Sequence, residues 1–190
     1  NFGPVSTGGN SGNQAVSFNA NTAGALGGQA VHIRNNFDNV QDQTISIQGA
    51  AFNLAAGNAT PSPVTLSNQR VGGSVSQALT VTNTAPVGSF TEVLKASFGT
   101  NTGSAINNAG SVSVAGGNSA AGFMNVGVNT ASAGTKSGSV TLNYVSDGAG
   151  TSGLGLTNVG SQTVNVSGNV YRLAQGAATP TPINFSNRHV

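Results

Sequence analysis

The chain has 190 residues, room for one or two domains of ordinary size, and carries only six Lys or Arg and four Asp or Glu. Its cations are scattered singly, without the clustered basic face and interleaved aromatics that nucleic-acid binding draws on, and the pI near 9.5 is a small difference between two small numbers. Cysteine is absent, which removes disulfides and thiolate chemistry, and no apolar run approaches the ~18 residues of a membrane-spanning helix.

In chain order, the first predicted strands centre on Val16 and Phe18, then Val31 and Ile33, then Ile45 and Ile47, each pair separated by one residue. Leu79 and Val81 alternate with Ala78, Thr80 and Thr82. Met124, Val126 and Val128 alternate with Asn125 and Gly127, and Val140, Leu142 and Tyr144 with Thr141 and Asn143; Val164 and Val166 close the series. A period of two belongs to strands with one face in a core, so these apolar residues are assigned to cores and Thr141 and Asn165 to the outside. TNTAPVGS, GTNTGS, AGGNSAAG and ASAGTKSG separate the runs at intervals too short for helices of ten residues. The chain is expected to be all-β.

TPSPVTLSNQRV at residues 60–71 returns as TPTPINFSNRHV at residues 179–190. Residues 43–71 align with residues 162–190 without a gap, Gln43 with Gln162 and Gly49 with Gly168, at a spacing of 119. Upstream the spacing is 108 at Gly8 and Gly116, and 109 at Val31 and Val140. Most of the change falls between Asp147 and Gln162, where DGAGTSGLGLTNVGSQ is ten residues longer than DNVQDQ, and this Gly-rich connection is expected to be mobile. The alternation survives while residue identities change, as packing requires, because a slip of one residue would turn the apolar set to solvent.

Two parts of the phrase carry a resemblance. INFSNRHV and VTLSNQRVGGSVSQALTVTNTA resemble the opening of the bacterial choice-of-anchor D repeats, relatives of the ASPM/SPD-2/hydin modules; SGSVTLNYVSDG and SQTVNVSGNVY resemble their closing strand pair. The resemblance implies tandem immunoglobulin-like β-sandwich modules in large secreted or surface-attached bacterial proteins. It divides the chain into the back part of one module (residues 1–55), a linker (56–62), a complete module (63–174), a second linker (175–182) and the first strand of a third module (183–190). A β-solenoid is the alternative architecture, disfavoured because its coils repeat every ~20–30 residues.

Chemistry-bearing residues are few. Asp38 and Asp147 align and are weak candidates for a repeated calcium site, weighed against Asp as an ordinary turn residue. His32 lies on VHIRN, pointing away from the core, and neither it nor His189 has partners at metal-ligand spacing. No GxSxG elbow is present, and GAGTSGLG lacks the GK[ST] of a phosphate loop. No catalytic residue, metal or cofactor is therefore assigned.

The expected role is a non-enzymatic structural or adhesive segment of a large extracellular bacterial protein, held outside the cell, whose partners are neighbouring repeats and other copies in a filament or surface layer. Nucleic acid and direct membrane insertion are not expected. The alternative is a carbohydrate- or ligand-binding module, for which Phe37, Phe90 and Phe123 are the weak candidates. Ile183 and Phe185 are strand-addition candidates: they lie on an opening strand whose twin, VTLSNQRV, begins a complete module, and a tail adding to the incomplete first module of another molecule would build a head-to-tail chain.

Overall fold

The computed structural model describes residues 6–10, 12–17, 19–34, 41–179 and 181–190. Phe18, Phe37 and Asp38 lie outside the described residues. The chain divides into two units, Asn1–Asn53 and Leu54–Val190.

In the first unit, β1 (Gly24–Ile33) and β2 (Gln43–Ala51) form an antiparallel hairpin in which Val31 faces Ile45 and Gln29 faces Ile47. Its apolar residues were expected in a core. They are not buried: Val31, Ile33 and Ile47 are half-exposed and Ile45 is 53% exposed. Val16 is exposed too, and the described residues before Gly24 form no strand. The physical reason is the absence, among the described residues of this unit, of any second sheet for the hairpin to close against.

The second unit is a two-sheet sandwich. One sheet runs β3 (Gly57–Thr60), β6 (Ser76–Asn83), β10 (Ser119–Val128) and β8 (Ala105–Asn107). The other runs β4 (Val64–Thr65), β12 (Leu156–Tyr171), β11 (Gly134–Asp147), β7 (Val93–Gly103) and β9 (Ser111–Val114), with β5 (Gln69–Arg70) also on β12. This is the order of an immunoglobulin-like sandwich with its first strand divided between the sheets, and it excludes the solenoid alternative. Leu79, Val81, Met124 and Val126 from one sheet meet Val140, Leu142, Val164 and Val166 from the other, all essentially without solvent exposure. Asn165 is exposed and Thr141 half-buried, as the alternation requires.

Three expectations differ from the structure. Residues 56–62 are not a linker: β3 lies inside them, pairs with β6 from Gly57↔Asn83 to Thr60↔Thr80, and buries Ala59, so the sandwich starts near Leu54 rather than at residue 63. The connection after Asp147 is not a loose insertion either. It lengthens the hairpin, with Ser146 facing Thr157 and Asp147 facing Leu156, and closes on a turn in which the Thr151 and Gly153 amides donate to the Gly148 carbonyl (3.0 and 2.8 Å). Residues 183–190, assigned to a following module's first strand, form no strand and are exposed, whereas their counterparts supply β4 and β5. A parallel strand needs a β12 beside it before its backbone groups can pair.

Candidate functional site

The feature of the sandwich with the most specific chemistry is the seam that receives its own leading segment, residues 55–71. At the start of the segment the Ala55 amide donates to Ser146 Oγ (2.8 Å), which donates to Glu92 Oε2 (2.7 Å), while Ser152 Oγ donates to Glu92 Oε1 (2.5 Å). Glu92 is 1% exposed, and a carboxylate so far from water requires such donors. Ser152 comes from the ten extra residues, so the insertion's hydroxyl completes the hydrogen bonding of a buried carboxyl group.

One residue later, the Ala56 amide donates to Asn83 Oδ1 (3.1 Å) and its carbonyl accepts from the Thr84 amide (2.7 Å). Buried Asn83 also accepts from the Ala85 amide (3.2 Å) and donates to the carbonyls of Glu92 and Val114 (both 3.2 Å), so one side chain ties the segment to β6, to the residue before β7 and to β9. At Ala59 the side chain of Gln162 acts as a substitute strand: Oε1 accepts from the Ala59 amide and Nε2 donates to its carbonyl, both at 2.8 Å. Tyr144 OH donates to the same Oε1 (2.8 Å), and burial pushes its phenol up to about 12.

The segment then crosses to the other sheet. Val64 pairs in parallel with Val166 and Gln69 with Val170; the Leu66 amide donates to the Ser167 carbonyl (2.8 Å) and the Val71 amide to the Tyr171 carbonyl (2.9 Å). Two close approaches set what can lie here. A Cβ on Gly57 would sit 2.5 Å from Tyr144 Cγ, and one on Gly168 would sit 3.3 Å from Leu66 Cβ. The segment therefore carries Ala, Gly, Ala, Val and Leu at 55, 57, 59, 64 and 66, with both alanines, Val64 and Leu66 buried.

The residues singled out from sequence are dispersed. Asp147 ends β11; its Oδ2 lies 2.5 Å from Lys95 Nζ and its Oδ1 accepts from the Ala149 amide (3.0 Å), and these bonds hold its carboxyl below the usual carboxylate range. It is thus a turn and cross-strand residue. Among the described residues no group of three or more His, Asp or Glu is placed to hold a metal ion. His32 faces away from the hairpin's apolar side, its Nδ1 3.1 Å from Thr44 Oγ1. Phe123 is 59% exposed on β10 and Phe90 is half-buried in the loop before β7. A surface depression of about 610 Å3, lined by Gly72, Ser76, Ile106 and Thr130 among others, has no aromatic or charged side chain. Ile183 and Phe185 are exposed, at 66% and 88%.

No family model matches the chain, and no curated protein matches it. Among solved structures it is similar to the ASH / PapD-like domain of human CEP192 (PapD-like domain 7), at 6% identity and a TM-score of 0.45, over 62% of this chain and 87% of that one. It is also similar to the Vibrio cholerae VesB protease, at 16% identity and a TM-score of 0.35, over 62% of this chain and 32% of that one. At these scores neither likeness adds to the strand order, on which the sandwich assignment rests.

Sequence reasoning missed the seam because its holders, Glu92, Asn83, Ser146 and Gln162, come from four separate places in the chain. Only Gln162 gave a signal, as the repeated QT of residues 43–44 and 162–163.

Proposed function

We propose that this chain is a stretch of a tandem array of β-sandwich modules, each opened by a segment of the 55–71 kind, and that the array is a non-enzymatic structural or adhesive part of a large extracellular bacterial protein. The observation that carries the reading is the return, 119 residues on, of every steric requirement of the seam. Ala174, Gly176 and Ala178 stand at the positions of Ala55, Gly57 and Ala59, and Ile183 and Phe185 at those of Val64 and Leu66. A glycine recurs where a Cβ would meet Tyr144, alanines where alanines are buried, and large apolar residues where large ones are buried.

The surface role is supported by the choice-of-anchor D resemblance and by the sparse charge, which leaves neighbouring modules and chains little electrostatic repulsion. In such an array the segment joining two modules is itself a strand of the second, which couples each module's stability to its neighbour's position.

Appending residues 72–171 after Val190 tests the array. The expected result is a second sandwich whose backbone amides over residues 174–190 exchange as slowly as those over 55–71. Rapid exchange over 174–190 in a folded product refutes the equivalence. Release of the protein from intact source cells by added protease checks the location separately, and resistance on intact cells with cleavage only after lysis argues against it.

A further inference from the structure

We infer that the seam of this sandwich is a binding site for residues 174–190 of a second copy of the chain, and that the whole segment cannot fill the seam of its own module. The inference rests on the equivalence just proposed and adds to it an intermolecular partner.

Geometry excludes self-docking of the complete segment. The leading segment runs parallel to β12, with Ala59 beside Gln162 at one end and Arg70 beside Tyr171 at the other. Ala178 would have to reach Gln162, nine residues back along β12 from Tyr171, or about 30 Å at ~3.3 Å per residue. Only seven residue steps separate Tyr171 from Ala178, and they span at most ~25 Å when fully extended. Residues 183–190 have enough slack to turn back; Ala174, Gly176 and Ala178 do not. The half of the segment that meets Ser146, Asn83 and Gln162 therefore cannot meet them in its own module, and meets them only in the seam of another module, such as that of a second copy.

The first unit is a poorer acceptor than a complete sandwich. β2 offers Gln43, Ile47 and Gly49 in the places of Gln162, Val166 and Gly168, but among the described residues of its unit β1 and β2 form a two-stranded sheet with no counterpart of β6 for residues 176–179 to pair with. The seam of the second unit has both edges: β6 for the first half of the segment and β12 for the second. In the intact chain that seam is occupied by residues 55–71, so the site opens to a second copy when its own segment is dislodged.

Dislodging it is the test. In the 190-residue chain, Ala59→Asp with Leu66→Asp places carboxylates at two buried positions of the segment. The expected product assembles head to tail, its mass by light scattering rising with concentration, and adding Ala178→Asp with Phe185→Asp returns it to a monomer. A synthetic peptide of residues 172–190, in excess, is expected to cap the assemblies. At ten times its dissociation constant it should slow proteolysis of the quadruple variant about tenfold, whereas a peptide carrying the two Asp changes should not. Assembly that persists in the quadruple variant overturns the inference, as does a doubly substituted chain that stays monomeric. If the variants fail to fold, the peptide is added during refolding; no gain of protected amides then overturns it as well. Failure here with a folded second module in the appended chain rejects the intermolecular site and leaves the array intact.

Discussion

The two hairpins of this chain are nearly the same object in pairing and opposite in burial. Val31 faces Ile45 as Val140 faces Val164, and Ile33 faces Gln43 as Leu142 faces Gln162, although the second connection is ten residues longer. Yet Ile45 is 53% exposed and Val164 not at all. Register is thus a local property, set by alternation and cross-strand pairs, and it survives a change of loop length. Burial is not local: β11 and β12 are covered by a second sheet and flanked by β7 and by β4 with β5, and β1 with β2 has none of these among the described residues of its unit.

The largest expected effect comes from truncating equivalent residues of the two hairpins. Leu142→Ala should destabilise the sandwich by about 2–5 kcal/mol in urea denaturation, the range for a buried Leu. Its counterpart Ile33→Ala should leave that transition within about 0.5 kcal/mol, as a substitution outside a packed core does. Equal losses at the two sites would mean that the hairpins share one core.

The seam sharpens the same contrast. Gly57→Ala places a methyl group against the Tyr144 ring and should cost about 1–3 kcal/mol through overpacking. Gly176, its counterpart, has nothing within 4 Å of a built Cβ, so Gly176→Ala should leave the melting temperature unchanged. A Gly57→Ala protein as stable as the parent would show that the segment is not held against Tyr144.

Tyr144 belongs to the covered hairpin only; the first copy has Asn35 at the aligned position. Because burial raises its phenol to about 12, the folded chain keeps a proton that the unfolded chain releases near 10. Stability from this group is complete below pH ~10 and is lost as the pH rises through its folded value. In a Tyr171→Phe background, whose remaining tyrosine is Tyr144, phenolate absorbance should rise near pH 12; a midpoint at 10 in the folded protein would place the ring in water.

The smallest effect is expected at Lys95 and Asp147. The lowered carboxyl of Asp147 stabilises the fold above the usual carboxylate range, and that contribution fades as the pH falls through its folded value. Lys95→Met should lower the melting temperature slightly at neutral pH, with the gap to the parent closing in acid. A gap that widens in acid would reverse the sign.

How much was legible follows from these particulars. The alternation named Leu79, Val81, Met124, Val126, Val140, Leu142, Val164 and Val166 as core, and all eight are buried. It failed on Val16 and Ile45, because a strand pattern specifies which face is apolar and not whether anything covers it. The module boundaries implied by the resemblance made residues 56–62 a linker, although Ala59 between Asn58 and Thr60 is a strand position bonded to Gln162. Glycines made the connection after Asp147 look loose, although Ser152 in it serves a carboxylate sixty positions earlier in the chain.

What the sequence by itself determined is the repeat and the strand period, because these depend on residues within a few positions of one another or on comparison of the chain with itself. The tertiary structure alone decided which hairpin has a core, where the sandwich begins, and what holds its leading segment. Those properties depend on Glu92, Asn83, Ser146 and Gln162 arriving at one seam from distant parts of the chain, and on a buried polar group finding its partner there, since it is costly wherever it has none.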